Sequence, residues 1–417
     1  MKPFTVLLAV LVTATSVSTA PSHIHKLLER FGIRGNFADY VIPSNASKED
    51  PGKLQLGYAE FISSSGTTQF PIAAWPFRQG IWDTGKGHLR RIPYCFVNKR
   101  SSEKIGGTCK IESAVQLWAD ALGGKASRAT QHSLVIQGPQ HPEDYCCTHY
   151  TYGIENAPLA NGDLQCVWNT AKYPKDALAI HRLDEYKLDG KGAVATLGYT
   201  AEEHDSDAGR HYIYISDVEP VASLAHELGH VFGMVHEHQR WDRDDHVEFR
   251  CDNLLGIMDA VDLLQTDAFV DEHTALDMLC SDYELALKYH SPSADYVKGN
   301  GLDPHTRPTL DGQSGFDADS IMMYPSMMNS HENEEYANVH DAVLVRTAHD
   351  GLGRKVPATD WRILPPTKVS EKDAAFVRRF YAWDEARAAR EKEKEKEKEK
   401  REVVVVRRLD SGGGEGV

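Results

Sequence analysis

Three histidines and a glycine at fixed intervals constrain this chain more than any other feature: His226-Glu227-x-x-His230-x-x-Gly233-x-x-His236. Residues four apart on a helix share a face, so His226 and His230 can turn both imidazoles toward one cation. Glu227 projects beside them, close enough to a water on that cation to take its proton. Two histidines leave a zinc site incomplete, since a catalytic site needs a third protein ligand and keeps one position open. A helix running straight on would carry His236 away, because ten residues advance about 1000°, roughly 80° short of three turns. Gly233 can adopt the left-handed conformation that ends a helix and turns the chain, which lets His236 swing back. A helical histidine pair alone is often only a surface feature. The glycine and third histidine at these spacings decide for zinc.

A second element lies downstream, Ser320-Ile321-Met322-Met323-Tyr324-Pro325. In isolation it reads as a buried strand. After a three-histidine helix it reads as the methionine-bearing turn that lies beneath such a metal. With these motifs the chain resembles the astacin family of zinc metallopeptidases, in the metzincin clan. The run from His226 to Val247, HELGHVFGMVHEHQRWDRDDHV, carries the likeness, as do Glu237 directly after the third histidine and Arg240-x-Asp242-Arg243-Asp244. Ser320-x-Met322-x-Tyr324 matches too, and Ile92-Pro93-Tyr94 is similar to the start of the mature enzyme's first strand. A looser likeness runs from about 81 to 383.

The resemblance implies an α+β, metzincin-like catalytic domain. It would have a mixed, mostly parallel sheet, the zinc-site helix in its N-terminal half, and an irregular C-terminal half ending in a helix. It implies Zn2+ held by His226, His230 and His236, and hydrolysis of peptide bonds in protein or peptide substrates, with Glu227 as general base. Tyr324 would be a further zinc ligand at rest and would swing to hydrogen-bond the oxyanion. Met322 would form the apolar floor, and Glu237 would pair with the amino terminus of the mature chain. Departures are Met323, where the family usually has His, a catalytic region longer than the usual domain, with insertions at 139–205 and 281–319, and cysteines that do not map cleanly onto the family's disulfides. Two competing readings are a zinc-binding but inactive protein and a hydrolase with two histidines and a glutamate as ligands. The retained Glu227 argues against the first, and the well-placed His236 against the second.

The start of the chain speaks for export. Met1-Lys2, an apolar run from Phe4 to Val12 and small residues to Ala20 form the pattern of a signal peptide, with cleavage after Ala20, Ala14 or Ser18. The run is too short for a membrane anchor. Seven cysteines suit an oxidising compartment, and the odd number leaves at least one unpaired within the chain. Cys251–Cys280 and Cys95–Cys109 are plausible local pairs, and either Cys146 or Cys147 could join Cys166. The net charge of −15 excludes most nucleic-acid binding, which needs a basic surface. No partner other than substrate is implied, and a secreted, extracellular monomer is expected.

Residues 1–20 therefore read as signal peptide and 21–78 as a leader, Pro-punctuated, with the chain's one glycosylation tripeptide at Asn45. Phe37-Ala38-Asp39 there is a weak match to the family's latency aspartate. Residues 79–384 read as the catalytic domain. Strands are expected at Arg91–Val97, Ser133–Ile136 and His211–Ile215. One helix is expected over Ile111–Leu122, with apolar positions Ile111, Val115, Trp118 and Leu122. Another should have Pro220 in its first turn, and a last one should open at Ser370 and run through Tyr381. Residues 281–319 read as loop. Residues 385–417, with their Glu-Lys alternation, read as a solvated charged tail.

Overall fold

The computed structural model describes residues 74–77, 88–152, 164–183, 192–201, 207–289, 291–298, 315–331, 338–390, 392–394 and 396. The proposed signal peptide, Asp39, Asn45 and most of the Glu-Lys tail lie outside the described residues.

The first half contains β1 (Arg90–Phe96), α1 (Lys99–Ile105), α2 (Gly107–Leu122), β2 (Leu134–Gln137), β3 (Cys147–Tyr152), β4 (Leu164–Trp168), β5 (Leu178–Arg182), β6 (Ala193–Ala195), β7 (His211–Ile215) and α3 (Val221–Val231). Five strands form one sheet in the order β2-β1-β5-β7-β6. All neighbours are parallel except β6, which runs antiparallel to β7 at the edge. This is the expected mixed, mostly parallel sheet. Strand side chains alternate between faces. Ile92, Tyr94 and Phe96 of β1 enter the main core, while Cys95 and Val97 enter a second cluster on the other side.

Helices α2 and α3 cover the main-core face. α2 buries Ile111, Ala114, Trp118 and Leu122, whereas Val115, expected inside, is only partly buried. α3 buries Leu224, Leu228 and Val231, and the Trp118 indole N–H donates to the Ala225 carbonyl at 2.9 Å.

The second half holds β8 (Val247–Phe249), α4 (Ile257–Ala268), α5 (Glu272–Ser281), α6 (Tyr283–Lys288), β9 (Leu344–His349), β10 (Lys355–Pro357) and α7 (Glu371–Phe380). β8, β9 and β10 form a small antiparallel sheet. The loop expected over 281–319 is partly wrong, since α6 lies within it. Asp282 caps that helix through the Leu285 N–H at 3.0 Å, a local signal that the surrounding Pro and Gly residues outweighed. α7 begins as expected at Ser370, and its Phe376, Val377 and Phe380 return to the main core.

Disulfides join Cys95–Cys146, Cys147–Cys166 and Cys251–Cys280, and Cys109 is free and exposed. The expected Cys95–Cys109 pair is overturned. β1 points Cys95 away from the helical face, while α2 turns Cys109 to solvent. The two sulfurs are on opposite sides of the sheet, and adjacency in sequence does not bring them together.

Candidate metal centre

α3 presents His226 and His230 from adjacent turns, with Glu227 between them. The carbonyls at the end of the helix are all satisfied, the first by a last i→i+4 helical bond and the next three by donors beyond the helical pattern. Leu228 O accepts from Phe232 N at 2.9 Å, Gly229 O from Met234 N at 3.0 Å and His230 O from Gly233 N at 2.8 Å and Gly198 N at 2.9 Å. Val231 O accepts from the Trp75 indole at 2.9 Å. Trp75 falls within the stretch read as leader, yet it is fully buried, against Tyr199 and His211. Gly233 has φ +99°, the left-handed turn expected of it. His236 follows and comes back over the helix.

The three Nε2 atoms converge. His236 Nε2 lies 3.2 Å from that of His226 and 3.1 Å from that of His230. The tautomers follow from the other ring nitrogens. His226 Nδ1 meets the Ile321 carbonyl at 2.8 Å and His230 Nδ1 meets the Met234 carbonyl at 2.8 Å. A carbonyl only accepts, so both Nδ1 atoms carry the proton and both Nε2 atoms face the centre with lone pairs. Two lone pairs directed at the point shared with His236 Nε2 suit a cation there. Four-coordinate zinc with bonds of about 2.0–2.1 Å holds neighbouring nitrogens roughly 3.3 Å apart, so the trio fits zinc. Among the described residues, these three side chains form the one cluster able to hold a metal.

Below the trio lies Met322, fully buried. A Cβ added to Gly229 would meet its sulfur at 2.3 Å, so the methionine occupies the space that this glycine leaves open. Its carbonyl accepts the Glu237 N–H at 3.0 Å, tying the turn to the residue after the third ligand. Tyr324 sits with its ring centroid 4.3 Å from those of both His236 and His238. His238 is a residue the motif reading passed over. It is wholly buried, donates Nε2–H to the Asp295 carbonyl at 2.8 Å, and burial keeps its pKa well below the ordinary imidazole value. It is therefore a neutral ring filling the space behind Tyr324.

Glu227, His226 and Tyr324 line a cleft of about 710 Å³. Gly192–Val194, at edge strand β6, also line it, as do Met327, Met328, Pro365 and Pro366. Glu237, expected to hold the mature amino terminus, is paired here with Arg240 at 3.3 Å and with the Asp317 N–H at 2.8 Å. The Arg240-x-Asp242-Arg243-Asp244 run forms a scaffold around it. Arg240 bonds Asp242 at 2.8 and 2.7 Å, and Arg243 bonds Asp244 at 2.9 Å and the His238 carbonyl at 3.3 Å.

Two helical histidines, a left-handed glycine, a returning third histidine and a methionine floor define a zinc-hydrolase type of centre. The model of the Astacin peptidase family matches residues 196–299, a stretch that holds all three histidines and Glu227. The segment carrying the metal site thus falls in the astacin family of zinc metallopeptidases, and zinc is its metal. Nematocyst expressed protein 6 of Nematostella vectensis is 38% identical over 77 residues, which is 18% of this chain and 24% of that relative. The chain therefore matches about a quarter of the relative's length. High choriolytic enzyme 1, a hatching-enzyme zinc protease of Oryzias latipes (medaka), aligns in structure at 14% identity and TM-score 0.39, over 74% of this chain and 94% of that one.

Proposed function

We propose that this protein is a secreted, zinc-dependent endopeptidase acting on protein or peptide substrates. The observation that carries the reading is the convergence of the Nε2 atoms of His226, His230 and His236 beside a buried carboxylate at the base of an open cleft. Bound zinc, held by His226, His230 and His236, would acidify a water and polarise the scissile carbonyl. Glu227 accepts the proton of the attacking water and passes it to the leaving amine. Tyr324, braced between His236 and His238, donates a hydrogen bond to the carbonyl oxygen as negative charge builds there.

The same reading makes residues 1–20 a signal peptide, 21–78 a leader that keeps the enzyme latent, and 385–417 a solvated tail. After leader removal the new amino terminus would compete with Arg240 for Glu237. The three disulfides among the described residues support an oxidising destination. None of the described helices is long and apolar enough to cross a membrane. Glu227→Gln separates base from ligands. It should keep about one zinc per chain and lose on the order of 10²–10⁴ in kcat, whereas His236→Ala should lose the zinc itself. Full peptide hydrolysis by Glu227→Gln would remove the general base from the proposal, and zinc binding without hydrolysis by the unaltered, processed chain would leave only a binding protein.

A further inference from the structure

The side chain of Asp373 is buried, lies outside the cleft, and belongs to α7, far along the chain from the metal ligands. It serves first as a helix cap. Asp373 N–H donates to Ser370 Oγ at 3.0 Å, and Ser370 N–H donates back to Asp373 Oδ2 at 2.9 Å. A capping box needs no more than this pair. The carboxylate makes two further bonds that capping does not require. Oδ1 accepts Ser320 Oγ–H at 2.6 Å and Oδ2 accepts Ile321 N–H at 2.8 Å.

Those two bonds reach the metal centre within one residue. Ser320 Oγ, having given its proton to Asp373, accepts Met322 N–H at 3.0 Å. Ile321, held by its N–H, offers its carbonyl to His226 Nδ1–H at 2.8 Å. One carboxylate therefore fixes the backbone on both sides of the group that sets the His226 tautomer. Of the two histidines on α3, His226 needs this help from outside. His230 takes its carbonyl from Met234, four residues along the same chain, whereas the carbonyl for His226 comes from a turn 95 positions away.

We propose that Asp373 is a positioning residue for the metal centre. By holding Ser320 and Ile321 it keeps the Ile321 carbonyl on His226 Nδ1–H, and so keeps the Nε2 lone pair of His226 aimed at the point shared with His230 and His236. The inference rests on the zinc reading and does not depend on which bond the enzyme cleaves. It also assigns a purpose to α7 in the irregular half: the helix brings its first-turn acid under the methionine turn.

The test uses the full chain and zinc itself. Asp373→Asn keeps the shape but turns an N–H₂ toward one of the donors at Ser320 or Ile321. Partners that orient metal-bound histidines are worth about 10–100-fold in metal affinity. Asp373 acts one bond further out, so a loss of about tenfold is expected, read by competition with a chromogenic chelator. The visible bands of the cobalt-substituted protein should shift as well. Ser370→Ala is the control, since it removes the cap hydroxyl and its 2.6 Å bond to Asp317 but leaves both bonds to the turn. It should lower the melting temperature and leave zinc affinity and the cobalt bands unchanged. Should Asp373→Asn fail to fold, Ser320→Ala, which removes one of the two bonds, is expected to weaken zinc in the same direction. Zinc affinity within twofold of the parent with unaltered cobalt bands overturns the proposal, as does equal weakening by Ser370→Ala. A parent that binds zinc but hydrolyses no peptide defeats the peptidase reading and leaves this one standing. A parent that hydrolyses peptides beside an indifferent Asp373→Asn does the reverse.

Discussion

Gly229 sits inside the zinc helix, where ordinary propensity says alanine is better. In a helix interior glycine costs about 0.8–1.0 kcal/mol relative to alanine, so Gly229→Ala taken alone should stabilise. The packing reverses this sign. The new Cβ would lie 2.3 Å from Met322 Sδ and 3.4 Å from both Met322 Cε and Trp118 Cζ2. The sulfur must retreat by roughly 1 Å to reach an ordinary contact. It cannot do so cheaply, because Met322 is fully buried and its backbone is tied at both ends, N–H to Ser320 Oγ at 3.0 Å and carbonyl to Glu237 N–H at 3.0 Å. Overpacking of this kind costs about 1–3 kcal/mol. Set against the propensity gain, Gly229→Ala should destabilise by up to about 2 kcal/mol. Removing the obstacle isolates the cause. Met322→Ala alone should cost about 2–5 kcal/mol, and in that background Gly229→Ala should restore about 1 kcal/mol, a coupling well outside the error of a double-mutant cycle. Urea unfolding of the zinc-free proteins is the assay, since bound metal would add its own linkage term. A Gly229→Ala protein more stable than its parent, or the same change in both backgrounds, would refute the claim that this glycine exists to admit the methionine.

Cys95→Ser opens the Cys95–Cys146 link, which closes 51 residues, and chain entropy sets the loss at about 4 kcal/mol. Cys109→Ser, at an exposed free thiol, should stay within about 0.5 kcal/mol of the parent; chemical unfolding compares the two, and equal losses would contradict the pairing. Burial raises the Asp373 carboxyl from 3.8 to about 6, against the pull of its bonds to Ser320, Ile321 and Ser370. Its folded pKa is the higher one, so its contribution to stability is complete below about pH 4, falls as pH rises through 6, and amounts to roughly 3 kcal/mol lost at neutrality. Unfolding measured from pH 4.5 to 7.5 should show this slope in the parent and not in Asp373→Asn; the same slope in both would assign it elsewhere. Tyr324→Phe should retain zinc and lower kcat more than it raises KM, because the lost bond forms as charge develops, and steady-state kinetics with unchanged kcat would exclude Tyr324 from the reaction.

What the amino-acid sequence discloses about this site divides along a physical line. His226, His230, Gly233 and His236 lie within three helical turns' length of chain, and the geometry of one helix and one left-handed turn is enough to bring them together; local rules suffice there. Met322 and Tyr324 were legible only as a motif, because nothing local says that a methionine should rise into the gap left by Gly229. The parts that were missed depend on which way a side chain faces across the whole domain. Cys95 pairs with Cys146 and not with the nearer Cys109 because of strand parity in β1, and parity matters only once the sheet has helices on one face and a hairpin on the other. Trp75 reads as leader until its indole closes the open Val231 carbonyl at the end of the zinc helix, 156 residues away. Tyr381 reads as the end of a terminal helix until its hydroxyl meets the Phe232 carbonyl at 2.9 Å. Asp373 lies in the first turn of the helix expected from Ser370, and only the fold gives it a second, distant set of partners. In each case the ligands are local and the groups that hold them are remote. A short motif can therefore announce the chemistry, while the rigidity that makes the chemistry work is distributed from residue 75 to residue 381, and the experiments on Gly229 and Asp373 probe that distributed part.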